Sequence, residues 1–116
     1  MIHKGITFAL IISMKIKKQI SGQEKNISVL GDIECADILR LKKEMEDIPS
    51  YSKVLVDLSG VTFANSSFVN FLTGWRARNP LSAGKVKWVN PSGAIQRMLS
   101  ASGLQNMVSE ESAAIK

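Results

Sequence analysis

The stretch "KVLVDLSGVTFANSSFVNFL", residues 53–72, joins a strand pattern to a helix pattern through a short polar turn. Residues 53–58 form an apolar run rich in branched side chains and broken only by Asp57, which is typical of a central, covered strand. After the turn, apolar residues recur at three- and four-residue steps, as on one face of a helix. The residues on this face are Phe68, Phe71, Leu72 and Trp75.

Shorter β-type runs lie on both sides of this stretch. Residues 15–20 and 26–30 are separated by the polar link "SGQEK", which contains Gly22, and together they predict a hairpin at a sheet edge. Downstream, "KVKWV", residues 85–89, predicts a further strand. The sheet is therefore expected to have four or five strands, with residues 53–58 at its centre.

Two more helices are expected, one before and one after the central stretch. Residues 36–48 repeat apolar positions at helical spacing, and Pro49 is expected to end that helix. In "NPSGAIQRMLSASGL", residues 90–104, Asn90 is suited to cap a helix and Pro91 to its first position. Gly103 is expected to end this helix, with Leu104 folding back onto it.

Strands that alternate with helices after an initial hairpin predict an α/β fold, with a mixed sheet and helices mainly on one face. The expected core residues are Leu55, Phe71, Leu72, Val89, Ile95 and Leu99. Residues 15–116 are predicted to form a single domain, and residues 1–14 an extension or extra strand that the core does not need. The apolar run at residues 6–12 is too short to span a bilayer and lacks a cleavage site, so a cytoplasmic location is expected.

The composition excludes several classes of function. A 45% apolar and 22% charged chain is ordinary for a globular protein, and its net charge of +5 is spread over basic residues that often have acidic neighbours. No nucleic-acid binding is therefore expected. Single copies of cysteine (Cys35) and histidine (His3) leave no catalytic triad or cysteine-rich metal site, and no phosphate-binding loop is present. We expect no enzyme, cofactor or metal.

The turn "NSSF", residues 65–68, allows two interpretations. Asn65 is suited to cap the helix, with Ser66 and Ser67 in its first turn, because Asn and Ser favour helix starts. The same position favours negative charge, so a phosphate on either serine could create a charged switch there. The sequence pattern also allows Asp32, Glu34 and Asp57 to gather at the strand ends, although solvated or capping roles are the default for such residues.

The order of these motifs resembles the STAS domain of bacterial anti-sigma-factor antagonists, over residues 15–108. The matching features are the strand ending in Asp-Leu-Ser-Gly-Val, the Ser-Ser helix start, "LGDIE" at residues 30–34, and the helix end at Gly103-Leu104. The chain departs from the usual pattern at Asn65, where the family has Asp, and at Phe68, where it has Gly.

The resemblance implies a regulatory protein-binding domain that acts as a partner switch. The unmodified domain would bind a serine-kinase anti-sigma factor, and phosphorylation of Ser67, or less favourably of Ser66, would break the complex. In that case Ser67 is expected to be exposed. The implied partner-binding surface comprises Asp32, Glu34, Asn65, Ser66, Ser67 and Phe68.

The resemblance also leaves open a second role, that of an unphosphorylated STAS accessory subunit binding the ATPase of a lipid-transport ABC complex. The retained serine pair favours the switch, whereas the changes at Asn65 and Phe68 favour the accessory subunit. Under either role a protein partner is expected, with no nucleic acid and no membrane insertion, and a homodimer stays open.

Overall fold

A computed structural model describes residues 14–109 of the chain and places five strands in one mixed sheet in the order β1-β2-β3-β4-β5. The strands are β1 (Lys15–Ser21), β2 (Glu24–Leu30), β3 (Lys53–Gly60), β4 (Val86–Val89) and β5 (Val108–Ser109). The α-helices are α1 (Ile38–Glu44), α2 (Ser66–Arg78), α3 (Pro80–Ala83) and α4 (Gly93–Ala101). Short 3-10 turns occupy Cys35–Asp37, Ile48–Ser50 and Gln105–Met107.

The topology confirms the predicted α/β class. Strands β1 and β2 form an antiparallel hairpin at the sheet edge, closed by a two-residue turn in which Gly22 has a φ of +60°. Strands β2 to β5 run parallel to one another, and the strand order places β3 at the centre, as its continuous apolar run indicates.

One apolar core lies between the sheet and the helices. Alternate residues of β3 point into it, namely Val54, Val56 and Leu58, and the rings of Phe68 and Trp88 meet edge to face with their centroids 5.9 Å apart. Five of the six expected core residues are buried: Leu55, Leu72, Val89, Ile95 and Leu99. Phe71 is half-buried and packs against this core from its margin.

The first predicted helix is shorter than expected. It spans Ile38–Glu44 rather than residues 36–48, and a 3-10 turn at Ile48–Ser50 follows. In a continued helix the Glu44 carbonyl would accept from the amide of Ile48. Here that carbonyl accepts from Lys25 Nζ at 3.0 Å, and the Ile48 amide donates to Met45 instead.

The predicted cap at Asn90 is wrong. Helix α4 begins at Gly93, and the hydroxyl of Ser92 caps it by accepting from the amide of Ile95 at 3.3 Å. Asn90 has a φ of +58°, and its side-chain amide donates to Asp57. The far end of α4 is as predicted, because Gly103 has a φ of +76° and Leu104 is buried behind it.

The domain includes Met14, which the sequence had placed in the extension. Met14 is buried in the core, and its carbonyl accepts from the Arg40 guanidinium at 2.7 Å. The predictions about residues 1–13 fall outside the described part of the chain. Among residues 14–109, none of the helices has the length and apolar character that crossing a bilayer requires.

Candidate functional site

Two loops lie side by side where β2 and β3 end. Ile33 and Ala64 form a parallel bridge, in which the Ile33 amide donates to Phe63 at 2.9 Å and the Asn65 amide donates to Ile33 at 2.7 Å. This pairing brings residues 31–34 alongside residues 62–65. We call the surface formed by Asp32, Glu34, Phe63, Asn65 and Ser66 the site face.

Polar contacts order the acidic part of the site face. The hydroxyl of Thr62 lies 3.4 Å from an Asp32 carboxylate oxygen, and the backbone amide of Glu34 donates to the Asp37 carboxylate at 2.8 Å. The carboxylate of Asp57, by contrast, accepts from the Ser59 amide at 2.9 Å and from Asn90, which gives it a structural role. Nowhere in residues 14–109 do acidic, histidine or cysteine side chains cluster as a metal site would need.

Phe63 is the residue of the site face that the sequence analysis missed. Its side chain is 47% exposed although it lies between the buried residues Val61 and Ala64. The local pattern of apolar residues does not distinguish Phe63 from its buried neighbours. Only the pairing with Ile33, which uses the backbone of Phe63, leaves its ring outside the core.

The start of α2 is capped as the sequence predicts. The side-chain oxygen of Asn65 accepts from the Ser67 amide at 2.9 Å, and the Asn65 carbonyl accepts from the Phe68 amide at 2.8 Å. Ser66, in the first turn, is exposed. The replacement of the family's usual Asp by Asn65 therefore keeps the cap but removes a charge.

Ser67 and Phe68 do not lie where the partner-switch model needs them. Ser67 is half-buried, and its hydroxyl oxygen is enclosed without a hydrogen-bond partner among the described residues. Phe68 is 0% exposed, because the first turn of α2 directs its ring against Trp88. The expected exposure of Ser67 and the assignment of Phe68 to the partner-binding surface are both wrong.

Substitutions at the two serines test this placement. Ser67→Ala is expected to change the free energy of unfolding by less than about 1 kcal/mol, since its hydroxyl has no bond to lose. Ser67→Glu is expected to cost about 1–3 kcal/mol, because a longer charged side chain does not fit an enclosed position. Ser66→Glu is the matched control and should be neutral within about 0.5 kcal/mol. Urea unfolding measures all three, and equal stability of the two Glu variants would contradict the enclosure of Ser67.

Comparisons with known proteins agree with this architecture. A family model described as "Mlab, STAS domain" matches residues 16–109. The fold is similar to that of unphosphorylated SpoIIAA, an anti-sigma factor antagonist, with a TM-score of 0.69, 16% identity and coverage of 87% of this chain and 90% of that one. The fold is also similar to that of an anti-sigma factor antagonist from Mycobacterium paratuberculosis, with a TM-score of 0.68, 19% identity and coverage of 83% of each chain.

The phosphorylated form of the Bacillus cell fate determinant SpoIIAA gives a TM-score of 0.65 at 15% identity, over 87% of this chain and 93% of that one. No curated protein matches the chain in sequence. At these identities the solved structures establish the fold alone, whereas the family model spans most of the chain, including the whole site face. The chain therefore belongs to the STAS domain family.

Proposed function

We propose that this chain is a non-enzymatic regulatory subunit that binds an ATP-binding partner protein through the site face, in its unmodified form. The observation that carries this proposal is the enclosure of the Ser67 hydroxyl. Phosphoryl transfer needs the acceptor oxygen in line with the phosphate, and an enclosed oxygen must first turn outward, by a change of side-chain rotamer or a local opening of α2. Control by phosphorylation of Ser67 is therefore disfavoured, and constitutive binding is favoured.

The site face has the composition of a protein-binding surface. Phe63 offers an exposed aromatic ring, which is typical of residues that anchor protein interfaces. Glu34 and Ser66 are exposed, and Asp32 and Asn65 are partly exposed, so polar groups accompany the ring. A ring accompanied by such groups suits an interface with an apolar anchor and a polar rim.

Of the two partners implied by the resemblance, the ATPase of a lipid-transport ABC complex fits this site better. An accessory subunit needs no phosphorylatable serine, so the enclosed Ser67 and the buried Phe68 are compatible with this role. A cytoplasmic location belongs to the same proposal, because the ATP that such a partner consumes is found there.

The partner switch is the second candidate, and the exposure of Ser66 favours it. A phosphate on Ser66 would lie in the first turn of α2, where the helix dipole stabilises negative charge. It would also place nearly two negative charges on the site face. If this chain is a switch, Ser66 is a better acceptor than Ser67.

Phe63→Ala is expected to weaken binding to the partner ATPase, to be sought among the products of neighbouring genes, by about tenfold or more. The reason is that the variant lacks the aromatic ring whose burial in the interface would stabilise the complex. Titration calorimetry measures the dissociation constant. The matched control is Ile20→Ala, which truncates another exposed apolar side chain (57% exposed) on the edge strand β1.

Equal binding by Phe63→Ala and the wild type would contradict the proposed interface. Mass spectrometry after incubation of the two proteins with ATP separates the two candidates. An unmodified chain that still binds supports the accessory subunit. Phosphate on Ser66, together with loss of binding, supports the switch.

A further inference from the structure

Charge is distributed unevenly along the chain. No Asp or Glu occurs from Leu58 to Ser109, whereas this segment carries five basic residues. They are Arg76, Arg78, Lys85, Lys87 and Arg97. The expectation that basic residues are mixed with acidic neighbours therefore holds for the first half of the domain but not for the second.

Four of these cations lie in residues 76–87, which run from the last turn of α2 through α3 into β4, at the end of α2 remote from the site face. Helix α2 has 13 residues, so a rise of about 1.5 Å per residue puts its two ends about 20 Å apart. Arg76 and Lys87 line the same cavity of about 340 Å³, together with Asn106 and Met107. Both residues therefore border a common space, Arg76 from α2 and Lys87 from β4.

The same segment presents an exposed leucine. Leu81, on the four-residue helix α3, is 86% exposed. We call the group formed by Arg76, Arg78, Leu81, Lys85 and Lys87 the basic tip.

The described contacts leave the basic tip positively charged. Lys85 Nζ donates to the Pro49 carbonyl at 3.2 Å, a contact that does not neutralise its charge. Glu46 shares a neighbouring cavity with Ser82 of α3, but Lys42 lines that cavity too and offsets it. The ion pairs of Lys18, Lys25 and Arg40 lie among residues 18–47, away from the tip.

We propose that the basic tip docks on the surface of an anionic lipid bilayer. Lys and Arg are attracted to anionic headgroups, and their aliphatic stems can lie along the interface while the charges reach phosphates. An exposed leucine among them can enter the boundary between headgroups and acyl chains. A nucleic-acid backbone would satisfy the cations but would offer Leu81 no apolar environment.

This contact is peripheral and independent of the proposed function. Because the basic tip and the site face lie at opposite ends of α2, docking on a bilayer leaves the site face free for a partner protein. The molecule can then connect a protein to a membrane surface without inserting a helix.

Sedimentation of the full chain with lipid vesicles tests the proposal. Binding is expected to vesicles of phosphatidylcholine mixed with phosphatidylglycerol, not to phosphatidylcholine alone, and should weaken as salt is added. Arg76→Gln/Lys87→Gln should weaken binding by about tenfold or more, since each cation near the surface contributes about fivefold. Leu81→Ser should weaken it by about threefold or more.

The matched control is Lys15→Gln/Lys17→Gln, which removes the same charge from the opposite sheet edge and should change binding by about twofold or less. Circular dichroism checks that every variant is folded. Failure to bind anionic vesicles overturns the proposal, and so does an equal loss in the control. Unchanged binding by all variants would overturn it as well, and would point to the apolar residues 6–12 instead.

A duplex DNA fragment tests the competing class of ligand. If the chain binds DNA, if Arg76→Gln/Lys87→Gln abolishes that binding, and if Leu81→Ser leaves vesicle binding unchanged, the basic tip is a nucleic-acid surface and the membrane proposal fails. Weak DNA binding together with a loss of vesicle binding in Leu81→Ser supports the membrane.

Discussion

Phe68→Ala is expected to lower the free energy of unfolding by about 3–5 kcal/mol, the usual cost of removing a buried aromatic ring from a core. Phe68 is 0% exposed, and its ring meets Trp88 at an interplanar angle of 72°. The variant would lose apolar burial and this aromatic pair, and would leave a cavity between α2 and β4. Since small domains are stable by only about 5–15 kcal/mol, such a loss removes a large share of the stability.

Urea unfolding followed by tryptophan fluorescence measures this loss. Phe63→Ala is the matched control, because it truncates the same side chain at a position that is 47% exposed. It should cost about 1 kcal/mol or less. Similar losses in the two variants would contradict the inward orientation of Phe68. They would also contradict the removal of Phe68 from the expected partner-binding surface.

Asp47→Ala is expected to cost about 2–4 kcal/mol by leaving the ammonium group of Lys25 buried without its main carboxylate partner. The Lys25 residue is 2% exposed, and its Nζ donates to the two carboxylate oxygens of Asp47 at 2.9 and 3.1 Å. The expected cost lies below that of a fully buried pair, because the side chain of Asp47 is 49% exposed. The Glu44 carboxylate, 3.6 Å from the ammonium group, compensates in part.

The double variant Lys25→Met/Asp47→Ala separates the cost of an unpaired charge from the loss of packing. Removing the buried charge should restore more than half of the stability lost in Asp47→Ala, because a lysine replaced by an apolar side chain of similar shape needs no partner. Thermal unfolding of the wild type, both single variants and the double variant measures this coupling. A double variant less stable than Asp47→Ala would show that Lys25 contributes mainly by its own contacts.

The contact between Lys25 and Asp47 also shows where prediction from the sequence stopped. Apolar spacing predicted that Ile38, Leu41, Met45 and Ile48 share one inward face. The last three are buried, and Ile38 is partly buried against the core. It did not predict that the helix ends at Glu44. The hydrogen bond that occupies the Glu44 carbonyl comes from Lys25, nearly twenty residues earlier in the chain. A pattern of local periodicity contains no information about such a bond.

The two predicted helix caps also show that local sequence does not specify contacts between distant residues. Asn65 caps α2 as its sequence context predicts, through a bond to the amide two residues later. Asn90 stands in an equally suitable context, but it donates to Asp57 of β3 and leaves the cap to Ser92. The neighbouring strand decided between two residues that both have high capping propensity.

The sequence by itself determined the order of strands and helices, the central position of β3 and the cap at Asn65, because these depend on side-chain periodicity and on contacts between residues a few positions apart. Tertiary structure alone decided that Ser67 turns its hydroxyl inward while Phe63 turns outward, since both outcomes depend on how α2 packs on β4 and how Phe63 pairs with Ile33. It also brought Arg76 and Lys87 to one cavity. Contacts between distant residues lower the entropy of the chain, and only the packing of the completed core offsets that loss. A local sequence pattern therefore does not specify them.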